Sequence, residues 1–143
     1  MGHQRLLELL AQAIKLDRAT RGNIQALAAQ TGCLNIIAQV GFDEQFLRHF
    51  AAVEAFDASA CGRAFGTGNW VMIPDILQDD AFAPHRAVVT SNDVRSVKSV
   101  PVIAPDGGII GMLSTHSPQP RWDWERDNTR NIAAEIGRIL AAR

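Results

Sequence analysis

The chain has 143 residues, with 14 lysines and arginines against 15 aspartates and glutamates, so its formal net charge is −1 at pH 7. Apolar residues make up 47% of it, a composition that suits one globular domain with its own core. The near-neutral charge excludes the basic surface typical of nucleic-acid-binding domains, and no stretch reaches the ~20 apolar residues that span a bilayer. Two cysteines are too few for a disulfide framework. We therefore expect one soluble, cytoplasmic domain over residues 1–143, with neither nucleic acid nor membrane as a partner.

The first third of the chain predicts a helix followed by a β-hairpin. Apolar residues recur at helical spacing over residues 4–17, which predicts an amphipathic helix with one wide apolar face. A loose alternation within residues 19–29 and a clear one within 33–40 predict two strands joined by a Thr-Gly turn. On the second strand, one face is predicted to carry Leu34, Ile36 and Ala38.

The middle third predicts short helices around a single strand. Asp43 and Ser59 are N-cap candidates, because their side-chain oxygens can accept from the first free amides of a helix. Residues 69–76 form a short apolar run that Pro74 interrupts, which predicts a short strand. A further helical turn is expected within residues 79–89.

The last third predicts a second hairpin and a final helix. Two β-branched segments, at residues 94–105 and 109–117, flank the sequence Asp-Gly-Gly, which is a strong hairpin turn. Apolar residues at helical spacing then predict a helix over about residues 123–142. Because both hairpins pair antiparallel strands, the predicted fold class is α+β, with the two terminal helices packed together on one sheet face.

Four stretches in this order resemble a GAF domain, a ligand-sensing relative of the PAS domains: GFDEQFLRHF, SACGRAFGTGNWVMIPDI, DDAFAPHR and VRSVKSVPVIAPDGGIIGMLSTH. The resemblance covers roughly residues 18–143 and is to GAF domains of bacterial signalling proteins such as sensor histidine kinases. It implies a central antiparallel sheet with both terminal helices on one face. It also implies a ligand pocket on the other face, covered by short helices and loops, and dimerisation and signal passage through the terminal helices.

Several side chains have chemistry that suits such a pocket. Cys61 opens a predicted helix, whose N-terminus favours a thiolate. The guanidinium of Arg86 can hold an anionic group. Polar residues interrupt the last two strands, where they can line a cavity between apolar walls. The predicted ligand-binding set is Cys61, Trp70, Met72, Asp75, Phe82, His85, Arg86, Ser99, Thr115 and His116. Each of these has a bland alternative, which is core packing for the apolar residues and solvated surface for the charged ones.

The sequence predicts no catalytic residue and no metal ligand, and it leaves the cofactor unknown. The carboxylates that follow Pro74 match no calcium-binding loop. Bilin-binding relatives carry their attachment cysteine near the position of His85, where this chain has the tripeptide Pro-His-Arg, so a covalent bilin is not expected. A haem on His85 or His116 stays open, although a lone histidine is more often structural.

The leading hypothesis is a non-catalytic regulatory domain that senses a small molecule and signals through dimeric terminal helices. Its expected partners are an unidentified small-molecule ligand, a second copy of the chain, and a downstream kinase or other effector. The predicted dimer contacts are Leu6, Leu9, Leu10, Ile14, Ile132, Ile136, Ile139 and Leu140. Two alternatives stay open. One is a redox enzyme of the free methionine sulfoxide reductase type, using Cys61 with only Cys33 as a further thiol. The other is a degenerate GAF domain that only dimerises.

Overall fold

The polypeptide forms a five-stranded antiparallel sheet with helices on both faces, in a computed structural model that describes residues 2–143. Its elements in chain order are α1 (Gly2–Leu16), β1 (Arg21–Leu27), β2 (Leu34–Val40), α2 (Glu44–His49), α3 (Ala60–Thr67), β3 (Val71–Ile73), α4 (Arg86–Thr90), β4 (Ser96–Ile103), β5 (Ile109–Ser117) and α5 (Arg130–Ala141). A 3-10 turn precedes α4 at Asp80–His85, and another precedes α5 at Arg126–Thr129. The predicted α+β class is confirmed.

The strands lie in the order β2-β1-β5-β4-β3, which places β1, β5 and β4 at the centre of the sheet. Asn23, Ser114 and Ser99 are in register across these three central strands. Because successive side chains of a strand point to opposite faces, these three share one face, and the residues that adjoin them in the chain share the other. The central strands thus present a polar row on one side of the sheet.

The terminal helices α1 and α5 cover the opposite face, as the sequence predicts. They pack on the sheet through a core of buried side chains that comprises Leu6, Leu9, Leu10, Ala13, Ile24, Ala38, Val100, Val102, Leu113, Ile132, Ile136 and Leu140. Gly137 allows α5 to approach β4, because a Cβ there would lie 2.5 Å from the carbonyl oxygen of Ile103. None of the helices within residues 2–143 has the length and hydropathy that crossing a bilayer requires.

The face with the polar row is covered by α2, α3, the first 3-10 turn and α4, which together are called the lid. Both predicted N-caps form. The Asp43 carboxylate accepts from the amide of Phe46 at 2.8 Å, and the Ser59 hydroxyl accepts from that of Gly62 at 3.1 Å. The lid packs on the sheet through a second apolar core to which its phenylalanines contribute. Each sheet face therefore has its own core.

Two expectations about local structure are wrong. Leu34, Ile36 and Ala38 do not share one face, because the β1–β2 register shifts at Ile24; the first two pack beneath the lid and Ala38 packs under the helices. The last helix begins at Arg130 and not near residue 123, since the second 3-10 turn comes first.

Candidate functional site

A cavity lies between the lid and the polar row of the sheet. Its volume is about 30 Å³, which is enough for a small molecule of a few atoms, and it is partly open to solvent. It is lined by Asn23, Gln25, Phe46, Phe50, Ser59, Ala60, Cys61, Phe82, Val89, Val97, Ser99, Ser114 and His116. Strands β1, β4 and β5 supply its polar floor, and the lid supplies most of its apolar wall.

Three hydrogen-bond acceptors on the cavity floor lack a partner within the described chain: Asn23 Oδ1, Gln25 Oε1 and His116 Nδ1. Their residues are only 5%, 1% and 6% exposed. A buried acceptor left without a donor costs ~1–3 kcal/mol, so three around one cavity form a site that can accept hydrogen bonds from a bound molecule. The hydroxyls of Ser99 and Ser114 lie 2.6 Å apart, so one donates to the other and the accepting hydroxyl keeps its own proton as a donor.

His116 is uncharged at neutral pH. Burial lowers the pKa of His116 to about 3, although a backbone hydrogen bond with Arg21 acts in the opposite direction. A neutral imidazole carries one N–H and one acceptor nitrogen. Its Nδ1 is buried without a hydrogen-bond partner, so in the tautomer that carries the proton on Nε2 this nitrogen is an acceptor at the cavity. The edge-on contact with Phe42 at 4.9 Å holds the ring in place.

Cys61 lies in the cavity wall with its sulfur 3.3 Å from the Ser59 hydroxyl oxygen. Burial raises the pKa of the Cys61 thiol, and hydrogen bonds from Ser59 and Gln25 oppose this effect without overcoming it. The effect of the helix N-terminus is therefore outweighed by desolvation, and the thiol form dominates at pH 7. Cys33 lies in the β1–β2 turn, outside the cavity lining.

A chain of close polar contacts, called the hydrogen-bond chain although its His85–Asp57 link is a contact by distance only, joins three lid segments at the edge of the cavity. His49 Nε2 lies 2.8 Å from His85 Nδ1, and His85 Nε2 lies 3.0 Å from Asp57 Oδ2. The same Asp57 oxygen accepts from the Ser59 amide at 3.0 Å. Burial lowers the pKa of His85 by more than Asp57 raises it, so this histidine is a neutral bridge. It ties the end of α2 to the segment before α3.

The structure places four of the ten predicted ligand-binding residues in the cavity lining, namely Cys61, Phe82, Ser99 and His116. His85 lies next to the lining, in the hydrogen-bond chain described above. Two charged candidates serve the surrounding loops instead. The Arg86 guanidinium donates to the carbonyl oxygens of Ile76 and Asp79, and Asp75 pairs with Arg95 at 2.9 Å.

The remaining three candidates lie on the helix side of the sheet or at its edge. Thr115 follows Ser114 and precedes His116, so strand alternation points its hydroxyl away from the cavity, where it donates to Asp17 at 2.8 Å. Met72 on β3 pairs with Lys98 on β4, so both residues lie on the same face of the sheet, which is the helix side. Trp70 lines a separate open groove of about 420 Å³ between β4 and α5.

Sequence reasoning did not select Asn23, Gln25 or Ser114. A signal for the first two is present, because two amides flank Ile24 in the predicted strand and so share the face opposite to it. The other lining residues that were not selected are Phe46, Phe50, Ser59, Ala60, Val89 and Val97. Across residues 2–143, no three histidine, cysteine or acidic side chains are grouped as a metal site would require.

Most of the predicted dimer contacts are used within the chain itself. Six of the eight lie in the core between α1, α5 and the sheet: Leu6, Leu9, Leu10, Ile132, Ile136 and Leu140. Ile14 and Ile139 are only partly buried, as is Leu7 beside them. Leu16, at the end of α1, is 53% exposed. The surface left to a partner is therefore smaller than the sequence suggests.

The same fold occurs in solved structures of proteins with different roles. The type II free methionine-R-sulfoxide reductase from Thermoplasma acidophilum matches with a TM-score of 0.77 at 15% identity, over 99% of this chain and 93% of that one. A domain from a two-component sensor histidine kinase protein of Sinorhizobium meliloti 1021 matches at 0.67 and 15%, over 97% and 88%. The blue-light-absorbing form of the Thermosynechococcus elongatus PixJ GAF domain matches at 0.66 and 19%, over 98% and 85%.

At such identities these likenesses concern the fold alone. A search of curated proteins found no significant match. The family model described as GAF domain matches residues 4–143, which is nearly the whole chain and includes every residue that lines the cavity. The chain therefore belongs to the GAF domain family.

Proposed function

We propose that this GAF domain is a non-catalytic sensory domain that binds a small molecule in the cavity beneath the lid. The observation that carries the proposal is the set of three buried, unpartnered acceptors on one cavity floor. A core that served only for packing would gain stability by replacing them with apolar side chains. A bound molecule that supplies donors would remove this cost, which gives the occupied state a free-energy advantage over the empty one.

The strands offer a route from the cavity to the terminal helices. Ser99 and Ser114 line the cavity, and the adjoining residues Lys98 and Thr115 point to the helix side. There the Lys98 ammonium lies 3.0 Å from the Asp17 carboxylate at the end of α1 and 3.3 Å from the Thr129 hydroxyl at the start of α5. A ligand that shifts β4 or β5 would therefore shift the anchors of both helices.

Retention of a ligand tests the proposal directly. Native mass spectrometry of the purified chain is expected to show a non-covalent mass in the wild type and in Gln78→Met, an exposed control. Gln25→Met removes one floor acceptor with little change of volume, so it should lose that mass. An absorption spectrum of the same sample reports a haem or a bilin. Absence of any bound mass, with floor acceptors bonded only to water in a crystal, would leave the domain a dimerisation module and overturn the proposal.

We also propose that α1 and α5 pair with a second copy of the chain. Leu7, Ile14, Ile139 and Leu16 leave apolar surface beside the joint core of these helices. A downstream kinase or other effector would then read the arrangement of the paired helices. The similar domain from a sensor histidine kinase protein is consistent with such an output.

The dimer yields a prediction at Leu16. Leu16→Lys places a charge on the exposed end of the helix pair, so it is expected to shift a wild-type dimer towards monomer in analytical ultracentrifugation. Leu77→Lys is the matched control, since Leu77 is a comparably exposed leucine in the loop after β3. A wild type that stays monomeric at the highest soluble concentration would refute the proposed dimer.

A second candidate function is reduction of free methionine sulfoxide. It is favoured by the position of Cys61 in the cavity wall and by the fold shared with the Thermoplasma reductase. The raised pKa of this thiol and the location of Cys33 outside the lining oppose it. We expect neither the wild type nor Cys61→Ser to reduce methionine sulfoxide. Reduction by the wild type that Cys61→Ser abolishes would establish the enzyme instead.

A further inference from the structure

We infer that the ligand of this cavity is a small, uncharged molecule that donates hydrogen bonds, of the primary amide or urea class. The inference rests on the proposed function and specifies its ligand. Three properties of the cavity lead to it: the absence of charged side chains from the lining, the unpartnered acceptors and the aromatic wall.

No lysine, arginine, aspartate or glutamate belongs to the lining, as far as residues 2–143 define it. The carboxylate in the hydrogen-bond chain, Asp57, accepts from the Ser59 amide and lies 3.0 Å from His85 Nε2. Moving an ion out of water costs several kcal/mol unless an opposite charge compensates it. A carboxylate, a phosphate or a zwitterionic amino acid would meet no such charge in the lining, since the guanidinium of Arg21, whose charge acts on His116, lies outside it. Free methionine sulfoxide is a zwitterion, so the same property argues against the enzymatic alternative.

The floor presents three unpartnered acceptors, beside the NH2 groups of Asn23 and Gln25, which are donors themselves. Asn23 Oδ1 and Gln25 Oε1 come from alternate positions of β1, whose Cα atoms lie roughly 7 Å apart, and His116 Nδ1 comes from β5. The two serine hydroxyls of the floor already bond to each other. A ligand must therefore supply at least two N–H or O–H groups that point in different directions. An NH2 group attached to a carbonyl does so without carrying a charge.

Apolar side chains complete the site. Phe46, Phe50 and Phe82 close the cavity from the lid, and the first two have ring centroids 4.7 Å apart. They can pack against a short hydrocarbon portion of the ligand but offer it no hydrogen bond. The volume of about 30 Å³ limits the whole ligand to a few heavy atoms as long as the lid keeps its position.

Four probes of nearly identical shape separate charge from donor capacity: acetamide, acetone, acetate and acetamidinium. Only acetamide is uncharged and also donates. In NMR titrations of the ¹⁵N-labelled full chain, we expect acetamide to shift the amides of Asn23, Gln25 and His116 saturably. Its Kd should be at least tenfold below those of the other three probes. Gln25→Met should raise the acetamide Kd at least tenfold, whereas Gln78→Met should leave it unchanged, with thermal unfolding confirming that both variants fold.

The outcomes distinguish this inference from the function on which it rests. Tighter binding of acetate or acetamidinium at the same amides overturns the ligand class and leaves a ligand-binding domain. Equal binding of acetone shows that the acceptors do not select the ligand and also overturns the class. Failure of all four probes to shift the floor residues, together with no retained mass in native mass spectrometry, overturns both.

Discussion

Lys98→Met is expected to lower the free energy of unfolding by about 3–5 kcal/mol, measured by urea denaturation. Lys98 and Asp17 are each 1% exposed, and the ammonium nitrogen lies 3.0 and 3.1 Å from the two carboxylate oxygens. Methionine fills a similar volume but leaves the Asp17 carboxylate buried, with only the Thr115 hydroxyl donating to it from a side chain. An uncompensated buried charge is among the largest single-site penalties in a protein.

Two comparisons show whether the uncompensated charge is the cause. The double variant Lys98→Met/Asp17→Leu replaces the whole pair by apolar side chains, so it should be more stable than Lys98→Met alone. The Arg5–Glu135 ion pair also joins α1 to α5, but both of its side chains are partly exposed. Arg5→Met breaks this pair and should leave the free energy of unfolding close to that of the wild type. If the free energy of unfolding lost in the double variant equals the sum of the losses in Lys98→Met and Asp17→Leu, water reaches these charges and an uncompensated buried charge is not the cause.

Local patterns predicted most of the fold. Residue spacing gave α1 and both hairpins, and the two N-caps form as their residue types indicate. The strand order was not predictable in this way, because it depends on pairings between β1 and β5 that are remote in the chain. The register shift at Ile24 leaves no local signal either. The strand order and the register shift depend on how side chains pack in the two cores, and this packing involves residues from the whole domain.

Only part of the cavity lining could be selected from the sequence, and on β5 the reason is that side chains alternate between the two faces of a strand. Thr115 and His116 were both selected, but neighbouring strand residues point to opposite faces, so only one of them can line the cavity. If Asn23 and Gln25 are taken to mark the cavity face of β1, the pairing of β1 with β5 places His116, and not Thr115, on that face. That register becomes known only with the structure.

The shared fold does not determine the function. A reductase, a domain of a kinase protein and a photoreceptor domain all superpose on this chain. What differs between such proteins is the set of side chains in their sites. In this chain the cavity lining has no charged side chain, carries three unpartnered acceptors and is partly aromatic. Because His116 is buried in this lining, its protonation can be used to measure the charge state of the cavity.

Acidification from about pH 7.5 to about pH 5 is expected to lower the free energy of unfolding by about 2 kcal/mol through His116 alone. The pKa of His116 is about 3 in the folded chain against a usual value of 6.5, so the unfolded chain binds the proton first. The contribution is complete above about pH 6.5 and is lost progressively as the pH falls towards the folded-state pKa. Urea denaturation of the ligand-free domain at both pH values measures the loss.

His116→Phe isolates this contribution from that of His85, whose lowered pKa acts in the same direction. Phenylalanine keeps an aromatic ring against Phe42 and Phe46 but cannot be protonated. The variant should therefore lose about 2 kcal/mol less than the wild type over the same pH interval. Equal losses in both proteins would mean that the His116 ring reaches water when it is protonated. The cavity floor would then be open to solvent, and the desolvation that makes its unpartnered acceptors selective for an uncharged donor would be absent.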